Sequence, residues 1–196
     1  KEGKIGNAKT GKGEWLVIEA DESDGSIVEY EPEVGLLLNI DKDHKEIDTL
    51  MEIFATFKNN TQKLFVVNQG HPLAKKLSQN IHHDFSFDAN SGAGFMAENF
   101  KQDGLQISFS INDVAFSMNQ VGKHNMENAL AATAVANQLG VPLALCAQAL
   151  QHYEGIYRRH QVLGNKNGVW LIDDYAHNPA KCAASIEACK YIAPKV

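Results

Sequence analysis

No run in this sequence approaches the roughly 20 apolar residues that cross a bilayer, and the opening residues KEGKIGNAKTGKGE hold no apolar core of the secretory type. The expectation is a cytoplasmic protein with no membrane partner. Cysteine is scarce: Cys146, Cys182 and Cys189 are an odd set without C-x-x-C spacing, which removes a disulfide framework and a cysteine zinc site. They read as small core residues, with Cys182 and Cys189 on one face of a helix. An excess of positive charge is missing too. With 18 Lys and Arg against 24 Asp and Glu, a net charge of −6 and a pI near 5.7, there is no broad basic face for nucleic acid. Small molecules, anionic ones included, are the expected partners.

What is present is ordinary globular material, 44% hydrophobic and 21% charged over 196 residues, enough for one full domain and part of a second. Trp15-Leu16-Val17-Ile18 ends in the acidic cluster Glu19 to Asp24, and Val34 to Ile40 is a second apolar run; both read as buried parallel strands. Ile47, Leu50, Met51, Phe54 and Phe57 recur at helical spacing between Glu46 and Asn60, and Lys63 to Val67 then reads as another strand. From about His83 to Met118 residues alternate, with turn pairs at Asp103-Gly104 and Asn112-Asp113, which predicts an antiparallel meander beside the parallel sheet. Helices follow over 125–139 and 142–153, broken at Gly140 with Pro142 in the second one's first turn. Residues 154–165 read as a hinge, Val169 to Ile172 as a strand and Pro179 to Ile192 as an Ala-rich helix. The fold class is therefore α/β: a mostly parallel central sheet flanked by helices, an antiparallel meander, and the start of a further α/β unit.

Several groups sit where such a fold binds ligands. Glu19 ends one strand and His44 follows another, and a hard oxygen donor with an imidazole suits magnesium or manganese. A solvated acidic loop and a helix-capping His explain the same residues. Gly6 to Gly13 (GNAKTGKG) fits the first positions of a G-x-x-x-x-G-K-[ST] phosphate loop. Yet Gly13 replaces the magnesium-holding hydroxyl and a strand, not a helix, is expected next. The sequence therefore holds no phosphate loop. Asn125 and Asn128, one turn apart at a helix start, can read an adenine edge, or Asn125 can be an N-cap. Arg158-Arg159 in the hinge can clamp phosphate or be plain surface charge. Asp173 to Pro179 (DDYAHNP) bridges strand and helix as a ligand-facing loop or as turn chemistry.

Taken in order, EADESD, NIDKDH, GKHNMENALAA, YRRHQV and DDYAHNP resemble the Mur ligase family across nearly the whole chain. EADESD and the preceding NAKTGKGEWLVI are most similar to the branch that adds L-alanine to UDP-N-acetylmuramate. The resemblance implies an ATP-dependent, amide-forming ligase of peptidoglycan synthesis. In it Glu19 and His44 hold Mg2+ or Mn2+, Asn125 and Asn128 contact adenine, Arg159 binds phosphate, Asp174 contacts ribose, and His177 lies near the nucleotide. Glu19, His44 and Arg159 would carry the catalytic charge. Thr56 stands where several members carry a carbamylated lysine, as in the alanine-adding branch. Asn178 stands where that branch commonly has His, a feature shared with folylpolyglutamate synthetases. Residues 1–157 correspond to the central ATPase-like domain without its phosphate loop, and 158–196 to the first strand and helix of a Rossmann-like C-terminal domain. The expectation is a fragment inactive by itself. Another Mur-type or folylpolyglutamate-type ligase, or a non-catalytic relative of the fold, are the alternative readings.

Overall fold

The computed structural model describes residues 8–42, 45–177, 179–193 and 195–196. A 3-10 turn at Ser26–Glu29 precedes β1 (Val34–Leu37), α1 (Ile47–Asn60) and β2 (Leu64–Val67). A second 3-10 turn at Ala74–Leu77 leads to β3 (Phe85–Ser86), β4 (Phe95–Asp103), β5 (Gln106–Ile111) and β6 (Val114–Met118). Then come α2 (Lys123–Gln138), α3 (Leu143–Gln151), β7 (Gln161–Lys166), β8 (Val169–Asp173) and α4 (Pro179–Lys190).

β1 and β2 are parallel, Val34 opposite Leu64 and Leu37 opposite Val67, with α1 as the crossover. The spacing that predicts α1 is the spacing it buries: Leu50, Phe54 and Phe57 face a cluster that includes Leu37, Phe65 and Val67. Each such side chain contributes roughly 1.5–3 kcal/mol on burial, more than the helix-propensity cost of the Thr and Phe residues in α1. Thr61 closes the helix, its N–H donating to the Lys58 carbonyl, and Phe57 meets Phe65 edge to face at 6.1 Å.

A single carboxylate links the two-stranded parallel sheet to the four-stranded sheet that follows. Asp84 is fully buried and accepts the Val67 N–H at 2.9 Å, the Gln69 side-chain amide at 2.6 Å and the Ser78 hydroxyl. It thereby continues the end of β2 into β3, where Asn68 bridges Phe85 in parallel. β3 and β4 are parallel, and β4, β5 and β6 form the expected antiparallel meander. Its second turn holds Asn112 and Asp113 at φ 45° and 66°, the left-handed pair that suits the twist of a two-residue hairpin. The Asn112 side chain also accepts from the Met96 N–H and donates to the Gly94 carbonyl, both at 2.8 Å. α2 lies on the meander with Met126, Ala129, Leu130 and Ala134 buried in the second core. Its alanines let the helix sit close to the sheet.

Four expectations change. Trp15 to Ile18 is not a strand, and its side chains are 53%, 85%, 89% and 51% exposed. Among the described residues β1 is paired only with β2, so this apolar run has no ladder partner and neither face is covered. The second run is a strand only to Leu37, although Ile40 is buried. Residues 154–165, expected as a hinge, are not irregular throughout: from Gln161 they form β7, which pairs antiparallel with β8, Lys166 opposite Val169. Cys146 is a buried core residue, but Cys182 and Cys189 are only partly covered on α4. No helix of the described residues is long and apolar enough to cross a membrane.

Candidate functional site

The start of α2 is built around a glycine. Gly122, at φ 90° and ψ 151°, occupies the N-cap position, so Asn125 is not the cap but sits inside the first turn. A side chain at 122 would strike the His124 ring at 2.8 Å and Ala188 of α4 at 2.9 Å, which is how α4 comes to rest against the beginning of α2. Asn125 donates its side-chain amide to the Val121 carbonyl at 2.8 Å and lies 3.2 Å from the His124 Nε2. Asn128, one turn on, is exposed. Glu127 between them has its carboxyl pushed up by burial, opposed by Lys123.

The connection from α3 to β7 carries two left-handed residues, Arg158 at φ 57° and His160 at φ 48°. Between them Arg159 is exposed, its guanidinium carbon 5.7 Å from the centre of the Tyr175 ring, with Arg158 at 5.4 Å from the same ring. Arg158 also reaches Asp173 at 3.6 Å and donates its backbone N–H to the Gln161 side chain. Tyr175 contacts His177 edge to face at 5.5 Å. Arg159 lines a cleft of about 770 Å³ together with Asp103, Gln106, Gln120, Tyr157 and His160, a volume in the range of small-molecule sites, which run from roughly 300 to 1,000 Å³.

His160 is the residue the motifs do not single out. Its side chain is 3% exposed and lies between α2, α4 and the loop after β8. Its ring meets His124 edge to face at 6.1 Å, and its Nδ1 is 3.7 Å from the Asp174 Oδ2. The other Asp174 oxygen accepts the Ala176 N–H. Burial lowers the affinity of both imidazoles for a proton; His160 further depresses His124, while Asp174 opposes the shift in each. The available signal was modest: a His in YRRHQV beside a His in GKHNM.

The structure thus gathers Asn125, Arg159, Asp174 and His177 around one joint between α2, the connection and the β8–α4 loop. Glu19 is exposed in a stretch outside any helix or strand, and His44 lies outside the described residues, as does Asn178. The acidic cluster after Glu19 makes turns, Asp21 accepting the Ser23 N–H and Asp24 the Ser26 N–H, each at 2.8 Å; those Ser26 bonds hold the Asp24 carboxyl below its ordinary value. No helix follows Gly13, in keeping with setting aside the phosphate-loop reading. Among the described residues no cluster of His, Cys, Asp and Glu could hold a metal by itself. Glu19 does present the exposed carboxylate oxygen that a hard divalent cation takes when phosphate and water complete its shell.

The family model of the Mur ligase middle domain matches residues 4–136. The UDP-N-acetylmuramate–L-alanine ligase of Synechocystis sp. is 36% identical over 194 residues, covering 94% of this chain and 38% of that protein. The ligase of the same name from Trichlorobacter lovleyi is 35% identical, covering 94% and 43%. Among solved structures, the UDP-N-acetylmuramate–alanine ligase of Thermotoga maritima is similar with a TM-score of 0.76 at 23% identity, over 88% of this chain and 41% of that one. The chain spans about two fifths of the length of the curated relatives it matches.

Proposed function

The chain belongs to the Mur ligase family, residues 4–136 matching its middle domain, and we propose that it is part of an ATP-dependent ligase joining L-alanine to UDP-N-acetylmuramate in peptidoglycan synthesis. The carrying observation is the continuous similarity to ligases of that name, 36% and 35% identical over 94% of the chain. Residues 1–157 are the central ATPase-like domain and 158–196 the first part of the C-terminal ligase domain.

The chemistry needs charge neutralisation and positioning more than covalent help from the protein. A muramate carboxylate oxygen attacks the γ-phosphorus of ATP, the bond to ADP breaks, and an acyl phosphate forms. The alanine amine then attacks the acyl carbon, the carbon–oxygen bond to phosphate breaks, a proton leaves nitrogen, and amide and phosphate are released. Arg159 offsets the charge on the transferring phosphoryl group, its exposed guanidinium being available to an oxyanion. Asp174 accepts the ribose hydroxyls. Asn125, whose amide N–H is taken by Val121, offers its side-chain carbonyl to the adenine amino group, with Asn128 beside it and His177 at the loop. Glu19 and His44 would hold magnesium or manganese, which when bound neutralises phosphate oxygens.

The reading is tested by phosphate release from the ligase that carries this chain, given ATP, magnesium, UDP-N-acetylmuramate and amino acids one at a time. Release that requires both UDP-N-acetylmuramate and L-alanine supports it. Release driven by another amino acid, or by a folate acceptor, assigns the chain to another member of the family, and no ATP turnover with any acceptor makes it a non-catalytic relative.

A further inference from the structure

Resting on the reading of Asn125 and Asp174 as nucleotide contacts, we propose that His160 is a positioning residue: its buried imidazole, wedged between α2 and α4, fixes the Asp174 carboxylate relative to Asn125. The contacts form an unbroken chain. Asn125 lies 3.2 Å from His124 Nε2, His124 packs on His160 at 6.1 Å, and His160 Nδ1 stands 3.7 Å from Asp174 Oδ2. That last separation is too long for a hydrogen bond, so the imidazole holds the carboxylate by packing while its other oxygen is fixed by the Ala176 N–H. α4 closes the far side, with the Ser185 hydroxyl 3.3 Å from Nδ1 and the Cys189 sulfur 3.9 Å from Nε2.

The backbone supports a dedicated role. His160 is held at φ 48°, a left-handed conformation that costs an ordinary residue about 1–2 kcal/mol and persists where the surroundings over-determine it. The groups facing the imidazole are His124 on α2, Asp174 on the loop, and Ser185 and Cys189 on α4. Burial disfavours the charged forms of His124 and of the Cys189 thiol, which leaves the Asp174 carboxylate, 3.7 Å from Nδ1, as the charge the imidazole faces. A neutral His160 leaves that charge to a ligand's hydroxyls. A protonated His160 would take the carboxylate for itself and repel His124.

The test combines a ligand-free readout with a ligand-binding one. Imidazole nitrogen shifts of the 15N-labelled chain are followed from pH 4.5 to 8, with His160→Asn identifying the His160 signals, Asn being tolerated in the left-handed region. In Asp174→Asn the His160 pKa should fall by about one unit, since the charge that favours its proton is gone. An unchanged pKa and unchanged shifts overturn the proposal. ADP affinity is then measured by calorimetry in the ligase that carries this chain, for His160→Asn, Asp174→Asn and the pair. Each single change should weaken binding several-fold and the pair no more than the worse single; multiplied effects overturn the coupling. If the unsubstituted ligase that carries this chain binds no ADP, the nucleotide reading falls and the titration alone decides the positioning. If His160→Asn does not fold, the Asp174→Asn titration still decides it, because it leaves position 160 intact.

Discussion

A methyl built on Gly122 would lie 2.9 Å from the Cβ of Ala188, so the start of α2 and the last turn of α4 meet only because residue 122 has no side chain. Its φ of 90° and ψ of 151° point the same way. Gly122→Ala combines the steric and the conformational cost, and the expected loss of stability is about 1–3 kcal/mol. Urea unfolding measures it. Hydrogen exchange should show α4 loosening before α1, whose Leu50, Phe54 and Phe57 are buried in a core that includes no residue of α4.

Asp84 joins three donors inside the sheet. Asp84→Ala strands the buried Val67 N–H and removes the acceptor of the partly buried Ser78 hydroxyl, at an expected cost of about 3 kcal/mol. Asp84→Asn keeps one acceptor and should cost less. Equal, small effects on the urea midpoint would remove Asp84 as the link between β2 and β3.

Acid should weaken the fold through the two buried histidines. Both have proton affinities below the ordinary value of 6.5 because burial disfavours the charged ring. Around and below that value the unfolded chain binds more protons than the folded one, so stability falls as the pH drops from 7 toward 5. Glu127 has the opposite sign, its carboxyl being raised above 4.5, so it costs stability as the pH rises through that region. Unfolding free energies at pH 7, 6 and 5 should therefore decline, and His160→Asn should make the decline shallower.

Arg159 is exposed and meets only the edge of the joint. Arg159→Ala should change stability by no more than about 0.5 kcal/mol. In the ligase that carries this chain it should lower turnover by roughly a hundredfold, the scale of losing one charge-stabilising group. Turnover at the original rate in a normally folded variant would remove Arg159 from the chemistry.

The β7–β8 hairpin turns on Asn167 and Gly168, at φ 54° and 82°. Asn167→Val places a β-branched residue where φ is positive and should destabilise the hairpin by about 1–2 kcal/mol. Amide exchange confined to residues 161–173 would register it, with α1 unaffected.

That same dipeptide shows how a legible signal can be overlooked. Asn-Gly between Gln161–Lys166 and Val169–Asp173 is the strongest short-range mark of a hairpin, yet the hinge expected over 154–165 takes in most of β7, which is absent from the sequence reading. The opposite error occurs at Trp15 to Ile18. Four apolar residues in a row read as a buried strand, but burial is supplied by neighbours, and none of the described strands lies beside them.

The sequence by itself determined α1, β2, the meander and the break between α2 and α3. Each is written in local terms: apolar spacing at 3.6 residues, alternation at two, and positions such as Asn112, Asp113 and Gly140 where a left-handed backbone favours particular residues. It also carried the family, because the order of short motifs survives without any knowledge of their contacts. Only the tertiary structure decided that Asp84 is a buried link and not a surface acid, and that His160 reaches Ser185, 25 positions away, and stands against Asp174 and His124. Such contacts depend on which elements pack together, and no periodicity encodes the meeting of residues that distant along the chain.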